Sequence, residues 1–160
     1  METRYRVRPA VSDDDLSSVL GVLAENEALA PVPAPPSAAP EASPRQSTTW
    51  ARIQHTSDVT VYLAECHSGA VGTACLSLLP NLTYDCRPTA FIEAVVVTYA
   101  HRRRGVASLL LQTLLRDAGA AGAYKVQLLT HKRHASDGAH DLYRSLGFQA
   151  EAEGFRLYLE

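Results

Sequence analysis

A basic loop stands immediately before a helical pattern in the second half of the chain, and its residue types suit phosphate. The arginines of Arg102–Arg104 follow the apolar run 94–97 and precede Gly105, after which apolar residues recur at helical spacing. The first turn of a helix presents N–H groups without partners and a partial positive charge, and guanidinium groups add charge suited to a pyrophosphate. Gly105 and Ala107 keep side chains away from a ligand. The phosphate loop, residues 102–108, is therefore predicted to bind a diphosphate.

Two other interpretations of the basic run stay open from the residues alone. Such a run is more often a solvated face, and arginine-rich stretches can form nucleic-acid patches. The loop matches neither GxxxxGK[ST] nor GxGxxG. The formal net charge is −2 and the isoelectric point about 6.3, so no global positive field recruits nucleic acid or anionic lipid. Neither a nucleic acid nor a membrane is expected as a partner.

The length and composition predict one globular domain over residues 1–160. The chain is 46% hydrophobic and 20% charged, which is typical of a packed fold. Its three cysteines, Cys66, Cys75 and Cys86, form no CxxC pair and have no histidine at ligand spacing, so free thiols and no metal site are expected. No apolar run approaches the length that spans a bilayer, and Met1–Ala10 is charged, which predicts a cytoplasmic location.

Hydrophobic periodicity divides the chain into strands and helices. The predicted strands are Tyr5–Pro9, 59–63, 70–79, Phe91–Val97, Lys125–Thr130 and two terminal strands from Phe148 onward around Gly154. The predicted helices run from Ser12 to near Asn26, over Trp50 and Ile53, from Arg104 to Ala118, and from Ser136 to Leu146. Ser12 and Asp15 form a short-armed capping box. The run Ala94–Val97, apolar on both faces, places its strand at the centre of the sheet.

The segment Pro31–Pro44 carries six prolines among alanine and serine. Proline lacks a backbone donor and cannot join a ladder, so we expect a loop within the domain, and long loops in compact domains are often functional lids. We therefore interpret the segment as a mobile flap. Trp50, just after it, is expected to anchor the core rather than stack on a substrate.

Two motifs resemble one known family. Arg102-x-x-Gly105-x-Ala107 after a valine-rich strand resembles the [Q/R]xxGx[G/A] motif of the GNAT superfamily, the acyl-CoA-dependent N-acetyltransferases. The segment Ala139–Phe148 is similar to that family's late helix, whose common form is NxxAxxFYxxxGF. The resemblance covers about Tyr5 to Leu159 and is weakest between Asn26 and Ser57. It implies an α/β (α+β) GNAT fold with a central mixed, mostly antiparallel sheet of six to seven strands and about four flanking helices.

The resemblance also implies a site for acetyl-CoA, with no metal. In the family, backbone groups of the central strand pair with the pantetheine arm, and loop amides hold the pyrophosphate. The matching positions here are Val95, Val96 and Val97 on the strand, Arg102, Arg103, Arg104, Gly105, Val106, Ala107 and Ser108 in the phosphate loop, and Ser136, Ala139 and His140 near the late helix. Ser136 stands where many relatives have Asn, and it is expected to cap the helix. His140 either lines the cofactor groove or is exposed.

Two catalytic positions follow from the resemblance. Tyr143 matches the tyrosine that often protonates the departing CoA thiolate, although it could instead be a core tyrosine. Glu93 matches a position where some members carry a general base, although it could instead face solvent or pair with an arginine. Amide formation from a thioester needs a base, an N–H donor for the carbonyl and an acid. Glu93, a strand N–H and Tyr143 are the candidates for these three roles.

The acceptor implied is a primary amine on a small molecule, such as an amino sugar, an amino acid or an antibiotic-like metabolite. Three alternatives stay open. The acyl donor could be an acyl carrier protein, the acceptor could be a protein lysine or N-terminus, or the chain could be a binding module that keeps CoA affinity without turnover. The sequence is silent on oligomeric state, and a homodimer is one option.

Overall fold

A computed structural model of the protein describes residues 4–27 and 40–159, without the side chains of residues 26, 27, 133 and 135. The chain divides into two compact units, Met1–Gln127 and Leu128–Glu160. Most of the predicted flap, up to residue 39, lies outside the described residues. Its last residue, Pro44, is not part of a loop but the first residue of a helix, a position that suits proline because the N–H there needs no partner.

The strands of the described residues form one sheet in the order β1-β2-β3-β4-β5. They are β1 (Arg6–Pro9), β2 (Val59–Cys66), β3 (Gly69–Leu79), β4 (Thr89–Val97) and β5 (Lys125–Leu128). The pairs β1–β2, β2–β3 and β3–β4 are antiparallel. The helices are α1 (Asp13–Glu27), α2 (Pro44–Gln54), α3 (Val106–Ala120) and α4 (Ala139–Ser145). This confirms the predicted fold class, a mostly antiparallel sheet with four helices.

The number of strands and the place of β4 differ from the prediction. The described residues form five strands rather than six or seven, because 148–159 contain no strand. Two strands around Gly154 were predicted there, but a strand also needs a partner's backbone groups, and Phe155, Leu157 and Leu159 are more than four-fifths exposed. The middle strand is β3, and β4 lies beside it.

The start of α1 confirms the predicted capping box. The Asp15 N–H donates to Oγ of Ser12 at 3.3 Å, and the Ser12 N–H donates to Oδ2 of Asp15 at 3.1 Å. The same carboxylate also accepts the Val11 N–H at 2.8 Å. Two otherwise unpaired donors at the start of the helix are thereby satisfied by one side chain.

The Asp15 carboxylate is also one half of an ion-pair network that ties α1 to the sheet. Arg8 on β1 donates to both oxygens of Asp15, at 2.7 and 2.9 Å. It donates as well to both oxygens of Glu65 on β2, at 2.6 and 3.1 Å. Asp15 is only 6% exposed. Arg8 therefore holds the pKa of both carboxyl groups below their usual range, because each carboxylate accepts its hydrogen bonds in the charged form.

The two faces of β3 carry different helices. Gly72 faces α3, since a methyl group at its Cα would lie 3.1 Å from side-chain atoms of both Val106 and Leu110. Side chains alternate between the two faces of a strand, so Cys75, three residues after Gly72, points to the opposite face. There it packs on a buried cluster consisting of Ala10, Val19, Trp50, Val61 and Leu63, drawn from or adjoining α1, α2 and β2. Trp50 is 4% exposed, so it is a core anchor as predicted.

Substitution of Gly72 by Ala is expected to destabilise the fold by about 1–2 kcal/mol, because overpacking a tight core costs energy of this order. The added carbon would also lie 3.2 Å from the carbonyl oxygen of Val96, so it meets backbone as well as buried side chains. Gly119→Ala on α3 is the control, since nothing lies within 4 Å of its added carbon. Urea unfolding measures both variants. A Gly72→Ala protein as stable as wild type would contradict this account of the helix contact.

Candidate functional site

The strand β4 contains a bulge in its second half. Val96 pairs with Thr73 and Glu93 with Cys75, so two residues of β4, Ala94 and Val95, lie opposite a single residue of β3. Ala94 has a φ of +51°, which L residues seldom adopt. A bulge leaves its extra residue outside the ladder and bends the strand. Backbone groups are thereby freed in the second half of β4.

The same bulge corrects the expectation that the run Ala94–Val97 is buried on both faces. Ala94 is exposed, Val95 and Val97 are half-buried, and only Val96 is buried. The apolar run could not reveal this because a bulge depends on the register with the neighbouring strand rather than on residue type. The predicted pantetheine positions Val95–Val97 therefore begin within the bulge, at Val95, and continue into the regular pairing of Val96 and Val97 with β3.

The phosphate loop has the geometry predicted at the start of α3. Gly105 is the N-cap with a φ of +81°, a conformation that favours glycine. The first intrahelical bond is donated by the Leu109 N–H to the Gly105 carbonyl at 3.0 Å. The amides of Val106, Ala107 and Ser108 precede it, so they have no acceptor within the helix. The first turn also carries no acidic side chain and no side-chain cap, which leaves the amides available to an anion.

The three arginines of the loop do not share one role. Arg102 turns back on the chain, with its Nε donating to the Val97 carbonyl at 3.0 Å and its guanidinium 5.6 Å from the centre of the Tyr99 ring. Arg103 and Arg104 are exposed, and Arg103 has a φ of +59°. The charge available to a ligand is therefore that of Arg103 and Arg104, whereas Arg102 braces the loop against the end of β4.

The phosphate loop is reached from β4 through a single 3-10 turn, Tyr99–His101, which we name the lead-in turn. Two residues that sequence reasoning missed contact it. The Tyr99 N–H donates to Oε2 of Glu25 on α1 at 2.7 Å. The hydroxyl of Tyr5 lies 3.0 Å from Nδ1 of His101. The pKa of His101 is lowered, first by its partial burial. The nearby side chains of Arg104 and His67 lower it further, because they disfavour a positive charge on His101. No local pattern could have revealed these long-range partners.

Glu93 lies beside the bulge with its side chain exposed. It pairs with Cys75 in the ladder, and residues directly opposite each other project from the same face. Burial raises the pKa of the Cys75 thiol, and the charge of Glu93 raises it further, so this thiol stays protonated near neutral pH. An exposed Glu93 agrees with its role as a base and equally with that of a solvated carboxylate.

In the second unit, Tyr143 is half-buried on α4. Burial raises its pKa, with a smaller contribution from the charge of Asp137. The ring meets that of Phe148 edge to face at 6.0 Å, and the Phe148 N–H donates to the Tyr143 carbonyl at 3.1 Å. A phenol whose pKa is raised stays protonated over the physiological range, which is what a proton donor needs.

The start of α4 corrects the expectation for Ser136. The helix begins at Ala139, with Gly138 as N-cap at a φ of +87°. Ser136 is exposed in the turn before the helix and does not cap α4. Asp137 instead accepts the Ala139 N–H at 3.0 Å, because its carboxylate reaches the first amide from outside the helix. His140 is partly buried, and its Nε2 has no hydrogen-bond partner among the described residues.

Within residues 4–27 and 40–159, no group of three or more His, Cys, Asp or Glu side chains is placed to hold a metal ion. The helices of this part of the chain include none that is both long and apolar enough to cross a bilayer. Cys66 and Cys75 are partly buried and Cys86 is exposed, and all three are free thiols.

Comparison with known proteins gives a family and a curated relative. A sequence profile described as the Acetyltransferase (GNAT) family matches residues 25–148. Glucosamine 6-phosphate N-acetyltransferase of Trypanosoma brucei brucei is 34% identical over 89 residues, which is 56% of this chain and 57% of that protein. The match thus spans little more than half the length of the curated relative.

Solved structures with the same fold cover nearly the whole chain. An acetyltransferase from Trypanosoma brucei is 26% identical with a TM-score of 0.76, covering 98% of this chain and 100% of that one. An aminoglycoside N-acetyltransferase solved in complex with CoA has a TM-score of 0.73 at 19% identity, covering 100% of this chain and 97% of that one. At that identity the second likeness concerns the fold alone.

Proposed function

The chain belongs to the acetyltransferase (GNAT) family, and on that premise we propose that it transfers an acetyl group from acetyl-CoA to a primary amine of a small molecule. One observation carries the donor half of this proposal. At the start of α3, three consecutive amides without intrahelical acceptors lie beside two exposed arginines. Amides and guanidinium groups together are the usual partners of a pyrophosphate.

The fit to CoA extends along β4. The amides of Val106, Ala107 and Ser108, with Arg103 and Arg104, would hold the pyrophosphate. The backbone of Val95–Val97 would pair with the pantetheine arm, and the bulge frees strand groups at the start of this stretch. Nothing lies within 4 Å of a carbon added at Gly105, so its surroundings leave room for a ligand. Ser136, Ala139 and His140 are assigned to the same ligand by the family resemblance alone.

The proposed reaction is direct attack of the amine on the thioester carbonyl. The new C–N bond forms as the C–S bond breaks, Glu93 takes the proton released by the amine, and Tyr143 gives its proton to the departing sulfur. A freed N–H of β4 at the bulge would stabilise the oxygen of the carbonyl as it gains charge. The roles of Glu93 and Tyr143 rest on the resemblance, and the raised pKa of Tyr143 means only that its hydroxyl carries a proton at neutral pH.

The acceptor is proposed to be an amino sugar or a comparable small amine. The support is the activity of the similar protein from Trypanosoma brucei brucei, a glucosamine 6-phosphate N-acetyltransferase.

Two measurements test the proposed function. Calorimetric titration with acetyl-CoA should show saturable binding, and binding should weaken in Arg104→Ala but not in Arg116→Ala, which removes an exposed arginine from the other end of the same helix. Thiol release with glucosamine 6-phosphate, glucosamine, an aminoglycoside and a lysine peptide should then show turnover with a small amine. We expect the Arg104→Ala loss to be roughly three- to tenfold, because a charge-assisted contact is worth about 1 kcal/mol or somewhat more at an exposed site.

The outcomes separate the open alternatives. Absence of any binding to CoA or to an acyl group on a carrier protein would contradict an acyltransferase altogether. If CoA binds but no acceptor causes thiol release, the chain is a binding module without turnover. Turnover with the lysine peptide alone would replace the small amine by a protein acceptor, and turnover with an acyl carrier protein but not with acetyl-CoA would replace the donor.

A further inference from the structure

The lead-in turn, Tyr99–His101, is the only covalent connection from β4 to the phosphate loop, and its first amide is bonded to a distant helix. The Tyr99 N–H donates to the Glu25 carboxylate at 2.7 Å across 74 positions of sequence. This N–H is the first donor of the 3-10 turn, which the turn itself cannot satisfy. A carboxylate is its strongest available acceptor, because the bond is charge-assisted and the start of a helical turn favours negative charge.

A local residue that could do the same work is present and is not used. Thr98 is the N-cap of the turn, and threonine is a common capping residue. Its side chain nevertheless makes no capping hydrogen bond, and its Oγ1 is buried without a hydrogen-bond partner among the described residues. The cap is therefore supplied from α1 rather than from the neighbouring residue. This arrangement fixes the lead-in turn relative to α1, which a local cap would not do.

A second long-range contact holds the other end of the turn. The Tyr5 hydroxyl lies 3.0 Å from Nδ1 of His101 across 96 positions, and the two rings meet edge to face at 5.8 Å. Inside the turn, the His101 N–H donates to the Thr98 carbonyl at 2.9 Å. The lead-in turn is thus anchored at both ends by elements from the first part of the chain.

From the anchored turn and the unused local cap, we propose that Glu25 is a positioning residue for the phosphate loop, and through it for the pyrophosphate of the acyl donor. The proposal rests on the proposed function, because it assumes that the loop binds a CoA pyrophosphate. Glu25 itself would not touch the donor. It holds Tyr99, from which the chain passes through Arg102 to the unpaired amides of α3, so a shift of the turn displaces those amides.

The direction of the change in acetyl-CoA affinity distinguishes a positioning role of Glu25 from a simple effect of its charge. A negative charge near an anion site repels the donor, so a Glu25 that acted only through its charge would weaken binding. Its removal by either Gln or Ala would then tighten the binding of acetyl-CoA. If Glu25 instead positions the loop, Glu25→Ala should weaken the binding of acetyl-CoA and Glu25→Gln should largely preserve it. Gln keeps an acceptor oxygen for the Tyr99 N–H, whereas Ala keeps none.

The experiment measures steady-state kinetics with two donors, acetyl-CoA and S-acetylpantetheine, which lacks the pyrophosphate. We expect Glu25→Ala to raise KM for acetyl-CoA about three- to tenfold with kcat and the KM of the amine nearly unchanged, since one exposed charge-assisted bond is lost. The kcat/KM for S-acetylpantetheine should not change. Glu25→Gln should restore the wild-type KM to within about twofold. Asp14→Ala, which removes a different exposed carboxylate of α1, is the control for net charge.

The outcomes are distinguishable. Tighter binding in both Glu25 variants, or no change in either, would overturn the positioning role. An equal loss with both donors would overturn it too, because it would point to a general structural defect. If the wild-type protein bound no CoA, the proposed function itself would be contradicted. If the wild type bound CoA and the Glu25 variants had the same KM for acetyl-CoA as the wild type, this inference alone would be contradicted. Thermal unfolding of each variant shows whether the fold is retained.

Discussion

Replacing Tyr143 with phenylalanine is expected to lower kcat for acetyl transfer by about 10²-fold or more while leaving the affinity for CoA nearly unchanged. Proton transfer from a positioned side chain typically contributes about 10²- to 10⁴-fold to a rate. The lower end is expected here because a thiolate leaves more readily than an alkoxide or an amide nitrogen. The phenylalanine keeps the edge-to-face contact with Phe148 and removes only the hydroxyl, so the fold should be preserved.

The control is Tyr158→Phe, the same chemical change at a strongly exposed tyrosine of the second unit. It should leave both kcat and CoA affinity at the wild-type level. Thiol release gives kcat, and calorimetry gives the affinity for CoA. Burial raises the pKa of Tyr143 above its ordinary value of 10.0, so wild-type activity should not fall through loss of this proton below about pH 10. A Tyr143→Phe rate equal to wild type across the pH range would remove Tyr143 from the mechanism.

Replacing Arg8 with methionine is expected to destabilise the protein by roughly 3 kcal/mol at neutral pH, since breaking a largely buried ion pair from one side costs about 3–5 kcal/mol. The lower figure applies because the Arg8 side chain is 31% exposed. Methionine keeps much of the aliphatic packing but leaves Asp15, whose side chain is 8% exposed, without its cation. Urea unfolding followed by circular dichroism measures the change.

Arg6→Met is the matched control on the same strand. Arg6 also pairs with Glu65, but through a single contact at 3.2 Å, and its side chain is 74% exposed. Exposed pairs of this kind contribute little, about 0–1 kcal/mol. The two variants remove the same charge from β1, so a difference between them reports the buried network rather than net charge. Equal stabilities of Arg6→Met and Arg8→Met would contradict the account of this network.

The pH dependence of this effect has a defined sign. Arg8 holds the pKa of Asp15 and of Glu65 below their unfolded values, which are about 4. Groups of this kind stabilise the folded state above the unfolded pKa, and that contribution is lost as the pH falls and the folded carboxylates take up protons. The stability difference between wild type and Arg8→Met should therefore be full at neutral pH and should narrow below about pH 4.

Features set by neighbouring residues could be predicted from the sequence. The capping pair of Ser12 and Asp15 formed as expected because both partners lie within one helical turn. The start of α3 was placed within two residues of its position, since Gly105 and the apolar spacing after it act locally. The strands predicted over 59–63 and 70–79 also formed, as β2 and β3, because the alternation in each depends on residues close together. Each of these depends on residues only a few positions apart.

Features set by partners far along the chain could not be predicted. The bulge at Ala94 depends on register with β3, so a uniform apolar run concealed it. Asp15 was recognised as a cap but not as the partner of Arg8, and Glu25 was not selected at all, because nothing local marks its bond to Tyr99. The two strands predicted around Gly154 did not form, because the local sequence does not determine whether a neighbouring strand is present.

The chain contains one tryptophan, and its place in the cluster beneath α2 makes it a natural fluorophore for that packing. Buried among aliphatic side chains, the indole is shielded from water, so its emission is expected at short wavelength and out of reach of aqueous quenchers. The emission of Trp50 therefore reports whether α2 remains packed against the sheet, without any dye or label.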